Sequence, residues 1–219
     1  MKTVSSFVEH YLKTKPFLLN SLSEGIINLT SLARNMMPEV EKQLGKDIKQ
    51  GAVVMSLKRL TEELDFKINH KVIKVIKNIG EITVRSSLND YTYAISDSIL
   101  NKHAELISKI NLQKDIFYTS SRGVNEINIV LSNSMDTTIE ELFTGEKKIQ
   151  KLKDLSSITI KLPNENVNVP GVYYYIFQRL AWEGIVLYEV ISTSNEFTFL
   201  VSEQQVDIAF RVIKDLKNV

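Results

Sequence analysis

The hydrophobic pattern divides the chain into a helical first third and an alternating remainder. In residues 3–64 apolar side chains recur at helical spacing. Phe7, Tyr11 and Leu12 predict a first helix that stops before Pro16, and a short one follows from Phe17 to Ser23, ended by Gly25. Asn28 is placed to cap a helix beginning Leu29–Arg34. Pro38 restarts a helix at its first turn, Glu39 to Leu44, and Gly45 breaks it. Gln50 to Leu64 is the longest helix expected, with Val53, Leu57, Leu60 and Leu64 as its buried stripe. Residues 65–78 read either as a wing with a strand or as an amphipathic linker helix.

From Gly80 the period changes to two. Glu81–Ser87 alternates as a strand, and Leu88-Asn89-Asp90-Tyr91 reads as a loop. A helix follows around Ile99, Leu100, His103, Leu106 and Ile107. Asp115–Thr119 and Asn125–Leu131 are strands joined by Ser120–Gly123, where the glycine suits a positive φ. Thr137–Phe143 is a short helix ended by Gly145, and Glu146–Asp154 is a basic connector.

The same succession then recurs more clearly. Ser157–Leu162 alternates, and Pro163–Gly171 is a loop with two prolines and three asparagines. Val172–Glu183 is a helix with Val172, Ile176 and Leu180 on its core face. Gly184 stops it. Ile185–Ile191 is a strand, Phe197, Phe199 and Val201 share one side of another, and Val206, Phe210 and Ile213 lie on a closing helix. The chain thus reads as α+β: a helical, winged helix-turn-helix-like region followed by two strand–helix–strand–strand–helix units. The expected boundaries are 1–66 for the helical domain, 67–79 for a linker or wing, 80–145 for the first unit, 146–155 for a connector and 156–219 for the second.

Three groups of residues in the last unit resemble the ACT domain, closest to the regulatory ACT units of aspartate kinases. They are Asn168-Val169-Pro170-Gly171-Val172, Leu180-Ala181-Trp182-Glu183-Gly184-Ile185 and Val190-Ile191-Ser192-Thr193-Ser194. The resemblance implies two ferredoxin-like units with antiparallel sheets, a regulatory role, pairing with another copy, and an amino acid bound at the joint. On that implication Ile185, Val186 and Leu187 face the ligand; Val186 stands where the family often has asparagine. The first unit lacks the Pro-Gly turn. The lysine-glycine signature of the kinase catalytic domain is absent from the sequence.

Composition narrows the chemistry. With no cysteine among 219 residues there is no disulfide or thiolate metal site, and His10, His70 and His103 are scattered. The eight glycines are dispersed singly, so no phosphate-cradling run exists. Glu62/Glu63 and Glu140/Glu141 read as solvated acids. The expectation is a non-enzymatic protein without cofactor or metal, without a membrane segment, and cytoplasmic. The net charge of +1 divides into +5 over residues 1–80 and −4 over 81–219.

The candidate ligand site is the entrance to the Val172 helix. Gly171 lets a ligand approach the backbone, free amides at a helix start suit a carboxylate, and Asn164, Asn166 and Asn168 offer donors and acceptors together. Pro170, Val172 and the Ile185–Leu187 segment complete it. Lys49, Gln50, Lys58 and Arg59 are candidate DNA contacts on the Gln50 helix. Tyr174, Tyr175 and Trp182 turn from the core and mark an interface, which points to a homodimer. The favoured function is a regulator that senses an amino acid and relays it to the helical head, acting on transcription. The alternative is a ligand-free dimerisation module for a partner protein.

Overall fold

The computed structural model describes residues 3–15, 18, 21–22, 25–67 and 69–218, with the side chains of 63–70 left aside. Pro16 and most of the Phe17–Ser23 helix, together with the side chains of Glu63, Leu64 and His70, therefore lie outside the described residues. The chain forms two compact units, Met1–Lys74 and Val75–Val219.

In the first unit, helix α1 (Val4–Lys13) opens on a reciprocal cap. Thr3 Oγ1 accepts from the Ser6 amide at 3.1 Å and Ser6 Oγ accepts from the Thr3 amide at 2.9 Å. Helix α2 (Leu29–Leu44) is capped by Asn28, whose Oδ1 accepts from the Ser31 amide at 3.0 Å, and it ends at Gly45 with φ 67°. Pro38 lies inside α2 and does not restart a helix as expected. Its ring removes one ladder bond, a cost of about 3 kcal/mol. Burial of Met36 and Val40 on either side of Pro38 holds the helix through it. Helix α3 (Gln50–Lys67) packs on α1 and α2. Their core is Val8, Leu12, Leu22, Ala33, Met36, Val40, Val53 and Leu57. The candidate wing is not a strand: α3 runs on to Lys67, and α4 (Asn69–Lys77) takes up most of the residues up to Asn78. The segment's four β-branched residues, Val72, Ile73, Val75 and Ile76, sit at helical spacing, and Val72, Val75 and Ile76 are buried.

The second unit is one six-stranded antiparallel sheet with strand order β2-β3-β1-β4-β6-β5. Its strands are β1 (Ile82–Ala94), β2 (Tyr118–Arg122), β3 (Glu126–Ser132), β4 (Lys148–Lys161), β5 (Glu189–Ser192) and β6 (Glu196–Ser202). Helices α5 (Ile99–Ile110), α6 (Asp136–Leu142), α7 (Val172–Trp182) and α8 (Val206–Asp215) alternate with them. Strand–helix–strand–strand–helix therefore occurs twice along the chain. The opening strands of the two halves, β1 and β4, pair with each other at the centre.

This pairing corrects several expected boundaries. Leu88–Tyr91 is not a loop but the middle of β1, because Asn89 and Asp90 find side-chain partners in the fold. The connector at 146–155 is mostly the first half of β4, drawn into the sheet by β1 despite its lysines. The Ile185–Ile191 strand shrinks to Glu189–Ser192, since Ile185–Tyr188 only lead up to the edge. Gly123 does not take a positive φ; the glycines that do include Gly145 and Gly184.

Two apolar layers result from the alternation. On the helix side of the first half, Tyr91, Tyr93, Ile127, Ile129 and Leu131 meet Ile99, Leu106, Met135, Ile139 and Phe143. The opposite face carries a smaller cluster of Leu88, Val130, Leu155 and Leu200. Ser87 (φ 60°) and Asp154 (φ 56°) sit where the β1–β4 register shifts, the kink expected of a bulge.

Candidate functional site

The loop between β4 and α7 is built by its asparagines. A short 3₁₀ turn, Asn164–Asn168, follows Pro163. Asn166 is buried, and its side-chain amide donates to Pro163 O at 2.9 Å and Ser194 O at 2.8 Å. Those bonds tie the loop to the β5–β6 hairpin. Asn164 Oδ1 accepts from the Asn195 side-chain amide, and the Leu162 amide donates to Asn195 O at 2.7 Å. Two of the three candidate asparagines thus hold the loop together. Asn168 is exposed and lacks a protein partner among the described residues.

The chain then reverses at Gly171, whose φ of 96° is one that a side chain with a Cβ adopts only under strain. No side chain caps α7. By helix geometry the amides of its first turn, Val172 to Tyr174, have no acceptor inside the helix, and they carry the positive end of its dipole. A cleft of about 530 Å³ opens here, lined by residues 166–174. Val172 turns into the core, while Tyr173 leans on Phe197 at 4.9 Å between ring centres and its hydroxyl meets Ser192 Oγ at 2.7 Å. The lining has no charged side chain. What it offers is backbone amides, one free asparagine and an apolar wall, which suits a small carboxylate with an apolar body.

Of the sequence candidates, Asn166, Asn168, Pro170, Gly171 and Val172 line this cleft, and Asn164 supports it from behind. Ile185, Val186 and Leu187 do not line it within the chain. Ile185 is buried with its amide on Leu180 O, and Val186 is about half exposed with its amide facing Gln205. Sequence reasoning missed Val167, Val169 and Tyr173 as lining residues; their place next to Gly171 was the available signal. Tyr174, read only as an interface residue, also lines the cleft. Trp182 is 75 % exposed, Tyr174 is exposed, and Tyr175 is half-buried with its ring under Arg179.

The other half of the sheet has a different helix entrance. Before α5, Ser96 Oγ and Ser98 Oγ each donate to the Glu146 carboxylate at 2.6 Å, and Lys102 Nζ lies 3.1 Å from it. Ser96 Oγ in turn accepts from the Ile99 amide at 3.1 Å. The hydroxyls of Ser96 and Ser98, helped by Lys102, hold the Glu146 carboxyl down at about 2. Nearby, Asp136 accepts from Tyr91 and from Asn89 and pairs with Lys151 at 2.6 Å, a satisfied network under α6.

On the head, Lys49 and Lys58 are exposed. Gln50 donates to Thr30 O at 2.9 Å, and Arg59 donates to Ser5 Oγ at 2.6 Å. Two of the four candidate DNA contacts are therefore engaged within the unit.

No protein-family profile matches the chain, and no curated protein does. Among solved structures, the fold is similar to the aspartate kinase of Clostridium acetobutylicum, with 14 % identity and a TM-score of 0.54 over 64 % of this chain and 35 % of that one. It is similar to the ligand-free regulatory subunit of aspartate kinase from Thermus thermophilus, with 10 % identity and a TM-score of 0.51 over 63 % of this chain and 97 % of that one. It is also similar to aspartokinase alpha and beta subunits, at 13 % identity and a TM-score of 0.53 over 68 % and 99 %. The chain spans about a third of the length of the Clostridium enzyme and matches the regulatory subunit nearly end to end. At such identities the likeness is one of fold.

Proposed function

We propose that this chain is a non-catalytic regulator whose sheet unit is a pair of ACT-like units and binds a small carboxylate, an amino acid foremost, at the entrance to α7. The observation that carries the reading is the uncapped α7 start behind Gly171, opening on a cleft of about 530 Å³. The fold shared with the Thermus regulatory subunit supports a regulatory role in place of a catalytic one. Among the described residues no group of three acids or histidines gathers to hold a metal, and no helix is long and apolar enough to cross a membrane. The protein works in the cytoplasm on this reading.

The mechanism is linkage: a ligand that fits one geometry of the α7 entrance favours that geometry and so changes what the protein binds elsewhere. A thermal-shift screen of the twenty amino acids tests it. A ligand at about 100 times its Kd adds roughly 2.7 kcal/mol of stability. Asn168→Asp places a negative charge beside the α7 amides and should remove that gain while leaving the unliganded protein folded. An amino acid that stabilises wild type and Asn168→Asp equally binds elsewhere. This variant is preferable to Gly171→Val, which would strain the backbone at φ 96°.

The head is the proposed output. A helix-turn-helix-like reading makes α3 the reader, with Lys49 and Lys58 free to meet phosphate and Gln50 and Arg59 available on release from Thr30 and Ser5. Binding to DNA should then weaken steeply with salt and vanish in the Lys49→Glu, Lys58→Glu double variant. A protein that retards no genomic fragment at low salt has a packing head only.

A second reading, assembly without a ligand, is favoured by one observation: Trp182 is 75 % exposed, with Val186 and Tyr188 exposed on the segment leading into edge strand β5 and Val190 exposed on the strand itself. A homodimer that covers them should scatter light as twice the 25.0 kDa chain. Trp182→Glu should halve that mass.

A further inference from the structure

Strands β3 and β5 are separated in the sheet by β1, β4 and β6. Even so, the Asn128 side-chain amide on β3 donates both to Asp90 Oδ1 on β1 at 2.5 Å and to Glu189 Oε1 on β5 at 3.0 Å. The sheet curls far enough for its β5 edge to reach back over β3, across the Leu88, Val130, Leu155 and Leu200 cluster. Two carboxyl groups therefore share one neutral donor. Asp90 is 4 % exposed. The register places Arg85, Glu126, Lys161 and Glu196 on this same face. Arg85 is aimed at Asp115 O, and no cation is bonded to Asp90 or Glu189 among the described residues.

We propose that Asp90, Asn128 and Glu189 form a proton-operated clasp that sets how tightly β5 curls toward β3. With both carboxyls ionised, one amide holds two like charges together with no cation to balance them. A proton taken from solvent by either carboxyl removes that repulsion and adds an O–H donor that the other accepts. The clasp tightens as pH falls and slackens as it rises. Burial pushes both carboxyls above their ordinary range, and the Asp90 charge adds to the rise at Glu189. Groups raised in this way contribute stability that is complete below their unfolded titration and is lost as pH rises through the folded one.

Carboxyl carbon-13 titration of the full chain tests the coupling. The Glu189 midpoint should lie above that of an ordinary glutamate and fall toward it in Asp90→Asn. Thermal unfolding is the second measurement. Glu189→Gln keeps the oxygen that accepts from Asn128 and removes the charge, so it should raise Tm at pH 8 by about 2–4 °C, a gain that disappears as pH falls below the carboxylate range. If Asp90→Asn does not fold, the pH dependence of the Glu189→Gln gain decides alone. A Glu189 midpoint indifferent to Asp90, or a Glu189→Gln shift that is the same at every pH, would overturn the clasp and leave a plain hydrogen bond.

Discussion

The two halves of the sheet run through the same elements and end in opposite states at the equivalent point. In each, the opening strand leads through a loop into a helix whose first amides need an acceptor. The first half supplies its own: Ser96 Oγ meets the Ile99 amide, and both serines lock onto Glu146, whose carboxylate is almost wholly shielded from solvent. The second half has a longer loop, spends its asparagines on holding that loop, and leaves α7 uncapped over a cleft. An internal carboxylate occupies one entrance, and an open cleft stands at the other. The difference shows how one architecture can yield a half closed by its own carboxylate and a half left open at its helix entrance by changing one loop and one acid.

The comparison is broken most severely at Glu146. Glu146→Ala takes the shared carboxylate from the Ser96 and Ser98 hydroxyls and from Lys102, which keeps its bond to Thr144 O, and should cost about 2–3 kcal/mol, read as a lowered urea midpoint. The same group gives an acid limb. Its folded titration near 2 lies below the unfolded value, so its stabilisation is present above about pH 4.3 and is lost as pH falls toward 2. Glu146→Gln should flatten that limb, and an unchanged acid midpoint would show that the serines do not depend on the charge.

Asn166→Ala comes next. It leaves Ser194 O without its donor and Pro163 O with only the Asn166 backbone amide, and should cost about 1–3 kcal/mol. The cleft should lose its shape with it, so any amino-acid stabilisation should vanish in this variant and persist in Glu146→Ala. Gly171→Ala puts a Cβ at φ 96° and should cost about 1–2 kcal/mol in a melt. Lys102→Gln is the mildest. Its ammonium stands beside an acid already held by two hydroxyls, and the loss should stay below about 1 kcal/mol.

Legibility in the sequence followed locality. The helix stops at Gly45, Gly145 and Gly184 were readable because a left-handed residue is a property of one position, and all three have positive φ. Ser157–Leu162 was readable because its alternation matches a sheet with one helix-covered face. Lys148–Asp154 was not, because its place in the sheet comes from β1 and not from its own polarity. Asn89 and Asp90 imitate a turn, and only their partners, Asp136 at one face and Asn128 at the other, explain them inside a strand. At the candidate site, the Pro-Gly turn pointed to the loop that borders the cleft. That two of its asparagines are scaffolding depends on Ser194 and Asn195, about thirty residues on. Glu146 carried no sequence signal, since its serine partners lie some fifty residues earlier.

The central pairing of β1 with β4 has a practical consequence. These are the two longest strands, of 13 and 14 residues, and they join the halves along most of their length. A backbone nick in the exposed turn at Gly145 would divide the chain without dividing the sheet, and the pieces would stay stitched by their ladder. Expressed apart, each fragment would present a long bare strand with its other half as the natural mate. The protein is in that respect a ready-made pair of complementing fragments, whose reassembly would report on whatever brings them together.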